Sequence, residues 1–337
     1  MSSKLKVGII GMGKMGRIRK QVLDVHPAFD VVALCDINPG VAAEFSGCSF
    51  SALWKDMLLH ELDVVFVCTY NVLAADIVCA ALRKGCHVFC EKPPGCSVRD
   101  VRRMMAAEKE AGDRILKFGF NHRLHYAIME AKAIIDSGRY GRILCARGVY
   151  GKAGGLTFED SWRSDKDLAG GGILVDQGIH MLDLMRYFLG DFVEIKGFVE
   201  NLCWKKIPLE DNAFALMKTS DGKVAMVHSS ATQWKHKFSL EIFMEDGYLC
   251  VNGLLTSTRS YGDESITFAK KQFEDEACAF GRPREETIYF DTDDSWRLEN
   301  DEFYRCIVGE QKTYNGNSHD ALKVMELVEE IYAVAKV

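Results

Sequence analysis

Six residues, Gly11-Met12-Gly13-Lys14-Met15-Gly16, restrict this chain more than any other stretch. They follow Lys6-Val7-Gly8-Ile9-Ile10, which reads as a short buried strand. They open a helix-patterned stretch over 14–25 that His26-Pro27 closes. A G-x-G-x-x-G string alone is a weak signal. Between a strand and a helix it has a specific mechanism. Two glycines let the backbone approach a pyrophosphate at a helix N-terminus, and the third lets helix and strand pack closely. Asp36 lies 20 residues past Gly16, at the end of a second strand over 29–35. An acid there accepts hydrogen bonds from an adenosine ribose. A glycine-rich turn beside an exposed Asp is the weaker reading of that context. The carboxylate also repels a 2′-phosphate, and Ile37-Asn38 offers no cation to hold one. The sequence therefore predicts NAD(H) over NADP(H).

The same alternation continues to about residue 120. Helices are expected over 39–45, 74–84 and 98–111, the last started by Ser97 and stopped by Gly112. Strands are expected over 63–68, 87–90 and 115–120. Apolar strands without alternation, separated by helices, imply a parallel sheet covered on both faces. After Asn121 the texture changes. Helices over 126–137 and 175–189 flank alternating stretches at 143–150, 213–219, 224–230, 238–245 and 248–251. Turn signals at Ser220-Asp221-Gly222-Lys223 and Glu245-Asp246-Gly247 suit antiparallel hairpins. Helices over 299–309 and 318–336 end the chain, with no repeat or low-complexity linker. The expected fold class is α/β: a doubly wound dinucleotide-binding domain over 1–122, then an α+β domain over 123–337 with a large, mainly antiparallel open sheet. The two terminal helices are candidates to pack back on the first domain.

Composition removes several function classes. The 337 residues carry 42 Lys+Arg against 48 Asp+Glu, a net charge of −6, which argues against a nucleic-acid partner. No apolar run approaches the ~18 residues of a membrane span, and Met1 to Val7 shows no signal-peptide pattern. A cytoplasmic location is expected. The 12 Cys run from Cys35 to Cys306 without a C-x-x-C spacing. Most lie in apolar runs, as small buried hydrophobes would, and no metal site or disulfide is expected.

Two further groups carry chemistry. Glu91-Lys92-Pro93 follows the fourth expected strand, at the carboxyl edge where parallel sheets bind ligands. A lysine facing the nicotinamide crevice and a surface loop lysine both fit that spacing. Farther on, Gly170-Gly171-Gly172 leads into a helix on which Asp176 and His180 are i,i+4 neighbours and Asp183 is three beyond. An Asp beside a His in an apolar setting makes a general base. A buried His satisfied by a helix neighbour fits equally well. Asn121 and Arg123 follow the fifth strand toward the crevice, where Arg123 is placed to anchor a carboxylate or phosphate. Tyr150, Lys152, Trp162 and Arg163 lie on the approach to the glycine run. Trp162 suits stacking on a sugar face and suits a core position equally.

Taken together, these pieces resemble the Gfo/Idh/MocA oxidoreductases. The shared elements are Gly11 to Gly16, Glu91-Lys92-Pro93, Ser161-Trp162-Arg163, and the triple glycine leading to Asp176 and His180. They cover nearly the whole chain in the expected order. The resemblance implies a Rossmann domain, a second domain whose sheet carries a dimer or tetramer interface, and NAD as cofactor. It implies reversible oxidation of a secondary alcohol on a sugar, polyol or sugar nucleotide. The family's catalytic set falls on Lys92, Asp176 and His180, with His180 or Lys92 taking the hydroxyl proton and Asp176 orienting the substrate and tuning His180. Cofactor contacts fall on Gly11, Gly13, Lys14, Met15, Gly16, Asp36, Thr69, Tyr70, Glu91 and Lys92. Substrate contacts fall on Asn121, Arg123, Tyr150, Lys152, Trp162, Arg163, Asp176 and His180. One loop departs from the pattern: many relatives have Thr-Pro and then His, where this chain has Thr69-Tyr70 and Ala74. Rival readings are an NAD-dependent glycoside hydrolase of the same architecture and a non-catalytic NAD-binding sensor.

Overall fold

The computed structural model describes residues 4–273, 281–312 and 314–335. It divides into two compact units. One holds the chain to Phe120, with Asp167–Gly170 and Trp296–Met325; the other holds Asn121–Lys166, Gly171–Ser295 and the chain from Glu326.

The first unit alternates strand and helix. Its elements are β1 (Leu5–Ile10), α1 (Lys14–Asp24), β2 (Phe29–Cys35), α2 (Gly40–Glu44), β3 (Ser49–Ser51) and α3 (Trp54–Met57). Then come β4 (Val64–Val67), α4 (Asn71–Arg83), β5 (His87–Cys90), α5 (Val98–Ala111) and β6 (Leu116–Phe118). Six parallel strands lie in the order β3-β2-β1-β4-β5-β6. The order reverses between β1 and β4, so the loops after these two strands share the carboxyl edge. β4 and β5 are buried along their full length, as strands covered on both faces must be. Ser97 caps α5 by accepting from the Asp100 amide, and Gly112 ends it at φ 72°, both as the sequence predicts. The short β3 and α3 were not expected; neither is long enough to show a period.

The unit's core is aromatic. Phe66 of β4 and Phe89 of β5 stack with centroids 4.9 Å apart. Phe303, on a late helix, meets their edges at 5.9 and 5.7 Å.

The second unit contains α6 (Tyr126–Asp136), β7 (Ile143–Gly151) and α8 (Ile179–Leu189); the short turn α7 (Lys166–Ala169) starts in it at Lys166, and its other residues belong to the first unit. Seven more strands follow: β8 (Phe192–Glu200), β9 (Asn212–Thr219), β10 (Val224–Ser230), β11 (Lys237–Met244), β12 (Gly247–Asn252), β13 (Glu264–Lys270) and β14 (Glu286–Phe290). They form an eight-stranded sheet, β14-β13-β12-β11-β7-β10-β9-β8, antiparallel except where β10 pairs with β7. The two expected hairpins join β9 to β10 and β11 to β12. α8 packs on β7 and β10, and α6 on β12, β13 and β14. The remaining helices are α9 (Ser295–Ile307), which carries Phe303, and α10 (Ser318–Val334). The expected extension of α10 to Lys336 lies outside the described residues. The expected single helix over 175–189 is two pieces: Leu174–Gly178 is a π-helical turn, and α8 begins after it.

Candidate active site

The glycine loop is shaped by close approach on two sides and openness on the third. Gly11 sits at φ 91°, and a Cβ there would meet the Cys68 carbonyl oxygen at 2.4 Å. A Cβ on Gly16 would meet the Gly11 carbonyl oxygen at 1.9 Å. A Cβ on Gly13 would meet nothing within 4 Å. So Gly11 and Gly16 are required by packing against β4 and within the turn, while Gly13 keeps the space before α1 clear. Gly13 is also the N-cap of α1 and supplies no capping side chain. The helix's first amides thus face a cleared approach, the condition for holding a pyrophosphate. Lys14 and Met15 form the first turn of α1. The Met12 amide donates to Asp36 Oδ2 at 2.6 Å, and the Asn38 amide donates to Oδ1 at 2.8 Å. These bonds fix the half-buried carboxylate at the end of β2, beside the glycine loop. The residues present fit a dinucleotide. Thr69 and Tyr70, both half-buried, connect β4 to α4, with Tyr70 the N-cap of that helix.

Glu91 and Lys92 follow β5, and the Lys92–Pro93 peptide is cis. Lys92 is half-buried; Glu91 is buried. Arg19, fully buried in α1, donates from Nε to Glu91 Oε1 at 2.6 Å and from Nη2 to Glu299 Oε2 at 2.5 Å. Its guanidinium also lies over the Phe89 and Trp296 rings at 4.1 and 4.7 Å. Burial opposes the charge on Arg19, but the two carboxylates outweigh it and hold its pKa above the usual value. Burial also pushes Glu299 up, against the pull of Arg19. Glu91 is therefore an internal anchor for the strand end that presents Lys92.

The second unit gathers another polar group. Lys152, at the end of β7, donates to Asp176 Oδ2 at 2.6 Å, and Arg163 Nε donates to Oδ1 at 3.1 Å. Arg163 also lies over the neighbouring Trp162 ring at 4.5 Å. His180, in the first turn of α8, stacks on His122 with centroids 3.7 Å apart and planes at 16°. His122 Nε2 is 3.1 Å from the Tyr150 hydroxyl, and Gln177 donates to Tyr261 at 2.9 Å. Burial pushes the Tyr150 phenol well up and Tyr261 to about 12. Behind the triple glycine, the Glu210 carboxylate accepts from the Gly172 and Leu174 amides at 3.0 Å and from Tyr332 at 2.7 Å.

Several of the expected site residues have partners within this unit. Arg123 was expected to anchor a ligand's anion; instead it is buried and donates twice to Asp183, at 2.8 and 2.6 Å, with its guanidinium 4.8 Å from the Tyr187 ring centroid. Asn121 is buried and donates to Ser295 at 3.0 Å, and Tyr150 turns inward to His122. Asp176 was expected to tune His180 through an α-helical i,i+4 contact. It sits in the π turn, whose i→i+5 bonding alters which side chains share a face. Lys152 and Arg163 are among the partners of its oxygens, and His180 stacks on His122.

Sequence reasoning missed Arg19, His122, Gln177 and Tyr261. Arg19 left a signal: it occupies the buried stripe Gly16, Arg19, Leu23 of α1, where an apolar residue is the norm. His122 stands between two singled-out residues but repeats at no helical or strand spacing.

Two family models match the chain: an oxidoreductase family with an NAD-binding Rossmann fold over residues 5–120, and the GFO/IDH/MocA C-terminal domain over 128–250. The chain belongs to the Gfo/Idh/MocA family. Curated relatives include levoglucosan dehydrogenase of Pseudarthrobacter phenanthrenivorans, 32% identical over 208 residues, 57% of this chain and 53% of that protein. D-glucoside 3-dehydrogenase of Escherichia coli is 31% identical over 200 residues, 56% of this chain and 55% of that protein. The match spans about half the length of each. Among solved structures, levoglucosan dehydrogenase in complex with NADH and L-sorbose has a TM-score of 0.85 at 22% identity, covering 99% of this chain and 97% of that one. That likeness shows that the two chains share a fold. The Rossmann-fold model falls within the first unit, and the C-terminal-domain model falls mostly within the second.

Proposed function

We propose that this chain is an NAD-dependent dehydrogenase that moves a hydride between nicotinamide and a secondary alcohol of a sugar, polyol or sugar nucleotide. The observation that carries the reading is the polar group on the π turn and α8: Asp176 held between Lys152 and Arg163, with His180 four residues on. When bound, NAD supplies the hydride acceptor, or the donor in the reverse direction. The Gly11 to Gly16 loop and the α1 N-terminus hold its pyrophosphate, and Asp36 takes the adenosine ribose.

His180 accepts the substrate hydroxyl proton. Lys92 donates a hydrogen bond to the same oxygen and stabilises the charge that develops there. Asp176 accepts from a neighbouring hydroxyl, and Lys152, Arg163 and Trp162 orient the rest of the ring. Positioned acid–base help is worth ~10²–10⁴-fold. The relatives named for levoglucosan and glucoside oxidation support a carbohydrate substrate. We assign the protein to the cytoplasm; among the described residues no helix is long and apolar enough to cross a membrane.

The open face of the second sheet is the proposed oligomer interface. Phe198, Phe214, Leu216 and Met226 are exposed there on the adjacent strands β8, β9 and β10. Contiguous exposed apolar surface of this kind is rare on monomers. A homodimer or homotetramer covers it, and light scattering of wild type against Phe214→Glu checks this: loss of the oligomer is expected.

An NADH-absorbance screen against polyols, aldoses, uronic acids and UDP-sugars, with His180→Ala as control, tests the activity. A signal that vanishes in the variant supports the reading. Cleavage of an aryl glycoside without net NADH turns it toward the hydrolase.

A further inference from the structure

The stacked histidine beside the proposed base has no role so far. We propose that His122 is a positioning residue for His180: it fixes the plane of that ring and limits the stacked pair to a single proton. This rests on the reading of His180 as proton acceptor.

His122 is held by both edges. Nδ1 is 3.2 Å from Asn121 Oδ1, and Nε2 is 3.1 Å from the Tyr150 hydroxyl. Asn121 is itself tied to Ser295, and the Tyr150 ring packs edge-on against Phe238 at 5.3 Å. With its edges fixed, the ring presents a face, and that face lies against His180 at 3.7 Å. Both histidines are buried, at 6% and 5% exposure, so water screens little between them.

Two neutral imidazoles, or one neutral and one charged, stack favourably; two imidazolium ions at this separation repel strongly. The pair therefore titrates as a unit. The other charged groups of this unit near the pair are matched. Asp183 is paired with Arg123, His125 with Glu264, and Asp176 with Lys152 and Arg163. The nearby phenols of Tyr150 and Tyr261 are pushed up and stay neutral. The close stacking of the two buried rings sets them in competition for one proton. While His122 holds that proton His180 takes none, so the neighbour lowers the pH at which His180 becomes charged.

The test compares wild type, His122→Phe, His122→Ala and His180→Ala as full-length protein. Imidazole NMR titration without substrate reads the rings directly, and pH profiles of kcat read their effect on turnover. His122→Phe keeps an aromatic face that takes no proton. It should hold kcat within about tenfold of wild type while the His180 titration and the acidic limb of kcat both move to higher pH, as expected when a coupled competitor is removed. His122→Ala should lose at least tenfold in kcat with KM for NAD unchanged. An unmoved His180 titration in His122→Phe overturns the proposal, as does full turnover in His122→Ala. Equal losses in both variants without a titration shift mean packing alone, and also overturn it. If His180→Ala retains turnover, the reading of His180 as base fails, while the NMR coupling still stands or falls separately. Should His122→Ala not fold, His122→Asn takes its place with the same readouts.

Discussion

Glu91 in the first unit and Asp176 in the second are both carboxylates held by cations of their own unit, and the two are built on opposite principles. Glu91 meets a fully buried arginine that also serves Glu299 and lies between two aromatic rings. Asp176 keeps 19% of its side chain exposed and is held by Lys152 at 20% and Arg163 at 38%. A charge taken wholly out of water must be matched where it sits, so Arg19 is committed to the fold. At Asp176 each cation spends one donor on the carboxylate, whereas an ammonium carries three and a guanidinium five. The first arrangement fixes a strand end. The second leaves hydrogen-bonding capacity for a ligand. Stability should therefore be sensitive at the first and turnover at the second.

The largest effect is expected from Arg19→Met, which leaves Glu91 and Glu299 buried without their cation. Breaking such a network costs about 3–5 kcal/mol, or a fall in Tm of roughly 10 °C for a protein of this size. Thermal unfolding measures it; an unchanged Tm would mean the network adds nothing and the contrast fails. Asp176→Asn should do the reverse. This half-buried pair keeps contact with water and is worth less than a network taken wholly out of it, so Tm should move less than in Arg19→Met, while turnover should fall ~10²-fold or more through lost orientation of the substrate. A variant that instead melts early with normal kcat would make Asp176 structural. Asp36→Ser sharpens the cofactor side: without its carboxylate, the ratio of NADP to NAD affinity should rise about tenfold, as one lost charged hydrogen bond implies.

How much of this was legible depends on whether a residue's role is local. Gly11, Gly13 and Gly16 reveal themselves because the turn, the strand before and the helix after are contiguous in sequence. The Rossmann order follows from strands that lack alternation, and the hairpins follow from Asp-Gly turns. Arg19 was readable in principle, as a charge on a buried stripe. The pairing of Arg123 with Asp183 was not, because its partners lie 60 residues apart and nothing local distinguishes a buried ion pair from a ligand anchor. The π turn at Asp176 was likewise hidden: a helical pattern of five residues does not distinguish i→i+4 from i→i+5 bonding. The stack of His122 on His180 needs both the turn after β6 and the start of α8, and no spacing rule links them.

Acid should separate the two units by a smaller effect. In the first, His87 of β5 is buried and lies 3.0 Å from Arg114; burial, then that arginine, lowers its pKa to about 4. In the second, burial pushes Glu264 up, but the hydrogen bond and charge of His125 and two backbone amides outweigh it and hold it below its usual value. The two signs give different windows. For His87 the unfolded state binds the extra proton between pH 6.5 and about 4, so stability falls as pH falls through that range. At pH 5 the linkage amounts to up to about 2 kcal/mol. For Glu264 the contribution is present above the unfolded carboxyl's pKa of 4.5 and is lost only below it. Tm measured between pH 7 and 5 should thus decline in wild type and flatten in His87→Gln, while Glu264→Gln lowers Tm at neutral pH and leaves the decline in place. If His87→Gln keeps the wild-type slope, the acid sensitivity above pH 5 belongs to another group, and burial at β5 does not set it.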